Sequence, residues 1–281
     1  MEIIRVPKMM REITKNLKIK SKTIGFVPTM GALHEGHLSL IKRAKEENDI
    51  TVVSIFVNPI QFAPGEDYEK YPRDIDKDCE KLKNIEIDYL FLPDVNSLYP
   101  NGYSTYINVE NLSDKLCGKF RPGHFRGVAT IVCKLFNIVN PNRAYFGQKD
   151  YQQTLIIKKM VEDLNIDVEI IVCPTIRDQD GLAMSSRNSY LNEIERKSAT
   201  VIYKCLKEGE KLLKAKINPL EVSERIQNLL KKEPLIKEIQ YAGVFDPFTL
   251  NELKELKDVC LIAIAVKIGD TRLIDNLLVN L

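Results

Sequence analysis

The stretch PTMGALHEGH, residues 28–37, holds two of the chain's three histidines, His34 and His37, beside Gly31 and Gly36. Glycines let a backbone come close to a bulky ligand, and side chains at i and i+3 point the same way once a helix has begun. Ahead of the stretch, SKTIGFVP carries β-branched and aromatic residues into a proline that cannot continue a ladder. After it, HLSLIKRAKEEND places Leu38, Ile41 and Ala44 on one helical face and charges on the other. The stretch therefore joins a strand end to a helix start, where free backbone N–H groups and the positive end of the dipole favour an anion. Two imidazoles there suit a phosphate chain whose negative charge grows during reaction. Two other readings compete. One is a tight turn whose histidines only cap and hydrogen-bond. The other is a metal site, for which no carboxylate or cysteine stands at ligand spacing.

The elements that would position this stretch follow from the pattern on either side. ITVVSIFVNP is almost wholly apolar, as expected of a strand covered on both faces of a parallel sheet. A helix over about 68–83, strand DYLFLP, helix GVATIVCKLFNIV, strand RAYFG, helix YQQTLIIKKMVEDL and strand VEIIVCP continue the alternation. It predicts an α/β fold, a Rossmann-like doubly wound parallel sheet, in which ligands sit outside the carboxyl ends of the strands. Beyond DGLAMSSRNSYL the texture changes. Helical stretches near 192–215 and 219–232, then strands near 237–245, 259–266 and 271–279, predict a smaller C-terminal α+β domain. Gly, Ser, Asn and Asp cluster near 177–188, which places the domains at 1–177 and 178–281.

Composition narrows the function classes. Hydrophobic residues are 44% and charged residues 28% of 281, the balance of an ordinary globular protein. With 41 basic against 39 acidic residues there is no basic excess to suggest a nucleic-acid partner. The six cysteines are widely spaced with no CxxC pair, and are read as reduced. MEIIRVPKMMREI has charges in every apolar run, unlike a signal peptide, and VCLIAIAV falls far short of the roughly 20 residues a membrane helix needs. A cytoplasmic protein with no membrane partner is expected.

HxGH after the first strand resembles the signature of the nucleotidyltransferase superfamily related to class I aminoacyl-tRNA synthetases. FVPTMGALHEGHLSLI is similar, more narrowly, to the pantoate–β-alanine ligase family. SIFVNPIQF, YPR, GKFRPGHFRGVATIV, RAYFGQKDYQQ and RDQDGLAMSSRNSYL match that family in the same order, so the resemblance spans 1 to about 191. The tail agrees with the family's smaller domain in length and texture. The resemblance implies an AMP-forming ligase of coenzyme A biosynthesis that joins (R)-pantoate to β-alanine through a pantoyl adenylate, releasing AMP and pyrophosphate. It also implies magnesium accompanying ATP as co-substrate, no tightly bound organic cofactor, and a homodimer.

Roles follow from the same resemblance. His37 would be the proton donor, with His34 and Arg187 as further catalytic groups. Met30, Gly31, Ala32, Leu33, Glu35 and Gly36 would line ATP together with the histidines. Gly147, Gln148, Lys149 and Asp150, at another strand-to-helix junction, would also meet the nucleotide, although Asp150 reads equally as a helix cap. Ile176 would offer its backbone to adenine. Met184, Ser185, Ser186 and Arg187, taken alone, read as a surface linker; the resemblance makes them a mobile loop that wraps phosphates. Gln61 and Gln153 would bind the pantoate and β-alanine side, with Met30 and Phe62 as an apolar wall. Arg121, His124 and Arg126 form a candidate anion loop without a catalytic role. Asp74, Asp76 and Asp78 read either as a magnesium group or as an exposed helix face, and the metal ligands stay unassigned. Two rivals remain: an HxGH nucleotidyltransferase that stops at nucleotide transfer, and an RNA-binding relative. The first lacks a further basic cluster for a phosphorylated acceptor, and the second lacks interleaved aromatic and basic residues in the tail.

Overall fold

Six strands form one sheet in the computed structural model, which describes all residues, Met1–Leu281. They are β1 (Glu2–Ile4), β2 (Ile24–Thr29), β3 (Ile50–Ile55), β4 (Tyr89–Phe91), β5 (Arg143–Gly147) and β6 (Glu169–Cys173). Their order is β1-β4-β3-β2-β5-β6, with every pair of neighbours parallel. The helices among them are α1 (Pro7–Ile19), α2 (Glu35–Glu47), α3 (Ile75–Ile85), α4 (Val95–Leu98), α5 (Cys117–Phe120), α6 (His124–Val139) and α7 (Tyr151–Asp163). From β2 the chain proceeds to β3 on one side, while β5 flanks β2 on the other. This reversal opens a crevice outside the carboxyl ends of β2 and β5.

Both faces of the sheet are covered. Val27, Val53 and Leu90 pack in one cluster with Ile41 and Ala44 of α2 and Leu82 of α3. On the other face Phe26 and Phe146 each meet Phe136 of α6 edge-on, with ring centroids 6.4 Å apart. This is the doubly wound α/β sheet that the alternating pattern predicts.

Three local features differ from the sequence reading. β1 and α1 have no counterpart in it, although Met10, Ile13 and Leu17 recur at helical spacing and α1 buries Met10 and Thr14. α3 begins at Ile75, not near 68, because Pro72 disfavours helical backbone just before it and Asp74 caps the helix by accepting from Lys77 N. The stretch near 192–215 is two helices, α8 (Glu193–Ser198) and α9 (Val201–Lys214).

The chain forms two compact units: Met1–Ser113, Arg121–Gly147 and Gln153–Pro174 make one, and Asp114–Phe120, Gln148–Gln152 and Thr175–Leu281 the other. The second is built on an antiparallel sheet of β7 (Ile236–Phe245), β8 (Val259–Ile268) and β9 (Thr271–Asn280), in that order. Ile202 and Leu206 of α9 and Ile226 and Leu230 of α10 (Pro219–Lys231) share its core with Val244, Ile262 and Ile264. This unit draws on two segments that lie well before residue 177, and polar bonds tie one to the other. The Gln152 side chain accepts from Cys117 N at 2.9 Å and donates to Lys115 O at 2.7 Å. No helix is long and apolar enough to cross a membrane, and all six cysteines are free.

Candidate active site

The loop leaving β2 reaches the start of α2 through left-handed backbone, with φ +80° at Gly31 and +50° at Ala32. That conformation is costly for alanine, by about 1–2 kcal/mol, so something must hold it. Asp78 does so from α3. It is 2% exposed, and its two carboxylate oxygens accept from Ala32 N and Leu33 N, each at 2.8 Å. Lys81, one turn further along α3, donates to Leu33 O. A side chain at Gly31 would place Cβ 2.9 Å from Asp78 Oδ2, so the close approach requires glycine. Burial pushes the Asp78 carboxyl up, against the pull of the Leu33 and Ala32 amides and Lys81. Asp78 is thus a loop anchor and Asp74 a helix cap. The acidic run at 74–78 does not form a metal group, and no cluster of three or more His, Cys, Asp or Glu able to hold a metal occurs in the structure.

His34 is the N-cap of α2, and its Nδ1 accepts from Gly36 N at 3.1 Å. His37, in the first turn, returns the bond: its Nδ1 accepts from His34 N at 3.4 Å. The two rings lie 4.1 Å apart between centroids. With Nδ1 as acceptor in both, the neutral ring carries its proton on Nε2, which gives two adjacent N–H donors of fixed tautomer. Capping and anion binding are therefore compatible. The cap sets the ring orientation, and the helix start adds its own positive field. Glu35 is exposed beside the pair, while Gly36 and both histidines are half-buried.

After β3 the chain makes a single 3-10 turn, Pro59–Gln61, where the pattern reads a strand as far as residue 59. Gln61 is buried, its Nε2 donates to Met30 Sδ at 3.0 Å, and its Oε1 accepts from Asn58 Nδ2 at 3.0 Å. Asn58 in turn donates to Gly127 O and accepts from Tyr99 Oη. At Gly127, α6 presses on this turn so closely that a Cβ would lie 2.5 Å from Ile60 O. The structure thus brings Met30 and Gln61 together directly. Gln153 stands half-buried in the first turn of α7, in the same compact unit as Gln61. Phe62 packs its ring against Tyr68 and Tyr71, at 5.3 and 6.1 Å between centroids.

The cations of the RPGHFRG segment have partners, although Arg126 is exposed. Arg121 binds both oxygens of Glu66 at 2.6 Å, and Arg126 lies 4.0 Å over the Tyr106 ring. Arg121 donates to His124 Nε2, so the His124 Nδ1–H donates to Gln61 O at 2.8 Å. The segment braces Gln61 through His124. Sequence reasoning missed Asn58 and the bracing role of His124, because neither stands near Gln61 in a recognisable spacing.

The remaining expected residues lie in the second unit, apart from Gly147, which ends β5. Gln148–Asp150 is a 3-10 turn ahead of α7, and the Lys149 ammonium lies 4.0 Å from the Asp150 carboxylate. Asn276 of β9 donates to Gln148 O and Lys149 O. Ile176 and Met184 face each other across a hairpin, Met184 N donating to Ile176 O at 3.0 Å, and Arg177 pairs with Ala183 inside it. Arg177 is fixed to Asp275 and lies 4.3 Å over the Tyr203 ring. The segment read as a mobile loop has built-in local structure: Ser185 caps the 3-10 turn Ser186–Tyr190 by accepting from Arg187 N, and Asn188 donates to Ala183 O. Met184, Ser185, Ser186 and Arg187 are all half-buried.

Residues 2–278 match the family model for pantoate-beta-alanine ligase. A pantothenate synthetase of Thermodesulfovibrio yellowstonii is 75% identical over 280 residues, covering 100% of both chains. The crystal structure of the Thermus thermophilus pantothenate synthetase superposes with a TM-score of 0.93 at 41% identity, over 99% of each chain. That of the Francisella tularensis pantoate-beta-alanine ligase, complexed with beta-gamma ATP and beta-alanine, superposes with a TM-score of 0.82 at 40% identity, over 99% of this chain and 97% of that one.

Proposed function

The chain belongs to the pantoate-beta-alanine ligase family, and from that premise we propose how its residues carry out the ATP-dependent condensation of (R)-pantoate with β-alanine. The products are pantothenate, AMP and pyrophosphate, formed through a pantoyl adenylate. The observation that carries the assignment is the reciprocally capped pair His34 and His37 at the start of α2, on a loop that Asp78 holds at Ala32 and Leu33 and the buried amide of Gln61 meets at Met30.

In the first half-reaction the pantoate carboxylate attacks the α-phosphorus and pyrophosphate leaves. Charge accumulates on the phosphate oxygens, so donors that are already oriented lower the barrier most. The Nε2–H groups of His37 and His34 supply them, with His37 donating its hydrogen bond to the departing oxygen. Lys149, Ser185, Ser186 and Arg187 take the phosphate chain, Arg187 through its fork of donors. Met30, Gly31, Ala32, Leu33, Glu35, Gly36, Gly147, Gln148, Asp150, Ile176 and Met184 complete the nucleotide contacts. Gln61 and Gln153 bind pantoate through neutral amides, which recognise hydroxyls and carboxylate without quenching the attacking oxygen. In the second half-reaction the β-alanine amine attacks the acyl carbon and AMP departs.

Magnesium arrives with ATP, where it offsets charge on the triphosphate. It would be held mainly by phosphate oxygens and water, since Asp78 and Asp74 are engaged by backbone amides. A homodimer and a cytoplasmic location complete the proposal. The test is exchange of labelled pyrophosphate into ATP. It should require pantoate and magnesium but not β-alanine, and exchange that demands β-alanine contradicts a separate adenylation step.

A further inference from the structure

The turn that carries Lys149 is a single 3-10 turn, and in the second unit its carbonyls face β9. Asn276 is 4% exposed, and its side-chain amide straddles two consecutive carbonyls, Gln148 O at 3.0 Å and Lys149 O at 2.9 Å. One planar NH2 group bonded to successive carbonyls restrains both peptide planes, and with them the direction of the Cα–Cβ bond of Lys149. Asn276 is itself restrained. Its backbone N donates to Asp275 Oδ1 at 2.8 Å, and the same oxygen accepts from Arg177 Nη2 at 3.0 Å. Asp275 is equally buried, and Arg177 is held from its other side by the Tyr203 ring and Gly181 O. The amide therefore sits on a rigid support rather than on a flexible strand end.

We propose that Asn276 is a positioning residue for Lys149, fixing the turn from which that ammonium reaches the phosphates of ATP. The inference rests on the assignment of Lys149 to the phosphate chain. It adds a residue 127 positions away, in the C-terminal strand, that touches no substrate in this account and acts through another group.

The experiment is a double-mutant cycle on steady-state kinetics with ATP varied, using Lys149→Ala, Asn276→Ala and the double variant. KM for pantoate and the melting temperature are measured alongside. Asn276→Ala is expected to raise KM for ATP about tenfold, the effect of losing one or two buried hydrogen bonds, and to leave KM for pantoate within about twofold. In the Lys149→Ala background the same substitution is expected to add almost nothing. The isosteric Asn276→Asp keeps volume but turns a donor into an acceptor facing two carbonyls, so it is expected to raise KM for ATP at least as far. It carries the test if Asn276→Ala does not fold. Full additivity of the two substitutions overturns the proposal while leaving the nucleotide role of Lys149 intact. So does an Asn276→Asp enzyme that behaves like the unaltered one, or an equal loss of affinity for ATP and pantoate. A Lys149→Ala enzyme with unchanged ATP kinetics overturns both the proposal and the assignment beneath it.

Discussion

The histidine loop of the first unit and the segments of the second proposed to bind phosphate are built in different ways. In the first, the reactive residues are contiguous, and short-range geometry does most of the work: a strand end, two left-handed residues, a helix start, and histidines that cap each other. One distant group, Asp78, completes it. In the second, two short segments are fastened to adjacent residues of one strand, the 3-10 turn at Gln148–Lys149 to Asn276 and the 176–184 hairpin to Asp275 through Arg177. The first arrangement fixes tautomers and donors for bond making. The second fixes where cations stand. Loss of a reactive group should therefore act on rate, and loss of a fastening on affinity.

The largest effect is expected from His37→Ala. Adenylation should slow by about 10²- to 10⁴-fold, the usual contribution of a positioned acid or charge stabiliser, with little change in melting temperature. An enzyme that unfolds while its folded fraction stays fully active would show that the cap is the histidine's whole role.

Asp78→Ala tests the anchor. It leaves two amides without their buried acceptor, at about 1–3 kcal/mol each, in backbone that is already costly. Adenylation should fall by about 10- to 100-fold, with faster hydrogen exchange at Ala32 and Leu33. Unchanged exchange at those amides would mean that the loop holds its shape without Asp78.

Much of this was legible in the sequence, and unevenly so. HxGH could be read because residues 34 and 37 carry their chemistry within one helical turn. The sheet could be read because strands covered on both faces, such as ITVVSIFVNP, have no alternation to mistake. α1 was legible too, in Met10, Ile13 and Leu17 at helical spacing, although the alternation as read starts only at β2. Asp78 was visible only as one of three acidic residues at a helix start, and nothing local distinguishes a carboxylate that binds metal from one that binds amides 46 positions away. Asn276 gave no signal, because an asparagine in a strand declares nothing about which carbonyls it will meet. The Met184–Arg187 stretch reads as linker by composition, and only the family resemblance singled it out.

A smaller effect should follow Gln153→Ala, which sharpens the division between acid and nucleotide. KM for pantoate should rise about tenfold as a polar partner is lost, while KM for ATP stays unchanged. Equal losses would place Gln153 at the nucleotide.

The smallest contrast lies in two carboxylates, one from each unit. Burial raises Asp78, so the folded state binds its proton more tightly than the unfolded chain does, and this group's effect on stability improves as pH falls through its folded value. Burial also works to raise Asp246, but Lys257 and the amides of Thr249 and Phe248 outweigh it and hold the carboxyl well below the usual range. Asp246 therefore stabilises the fold above its unfolded pKa of about 3.9, and that contribution is lost as pH falls through the folded value. Asp246→Asn should lower the melting temperature at pH 7, and the gap should begin to narrow below about pH 4 and go on narrowing as pH falls towards the depressed folded value. A gap that persists in acid would assign the loss to packing.

The central claim is that the histidine loop serves attack at the α-phosphorus, and an oxygen label tests it directly. With ¹⁸O in the pantoate carboxylate, formation of pantoyl adenylate followed by attack of the β-alanine amine must leave one labelled oxygen in AMP, and mass spectrometry of the nucleotide reads it. The account predicts that label in AMP, with unlabelled pyrophosphate. Label in inorganic phosphate, with ADP as the nucleotide product, would contradict it and remove the roles given to His34, His37 and Arg187.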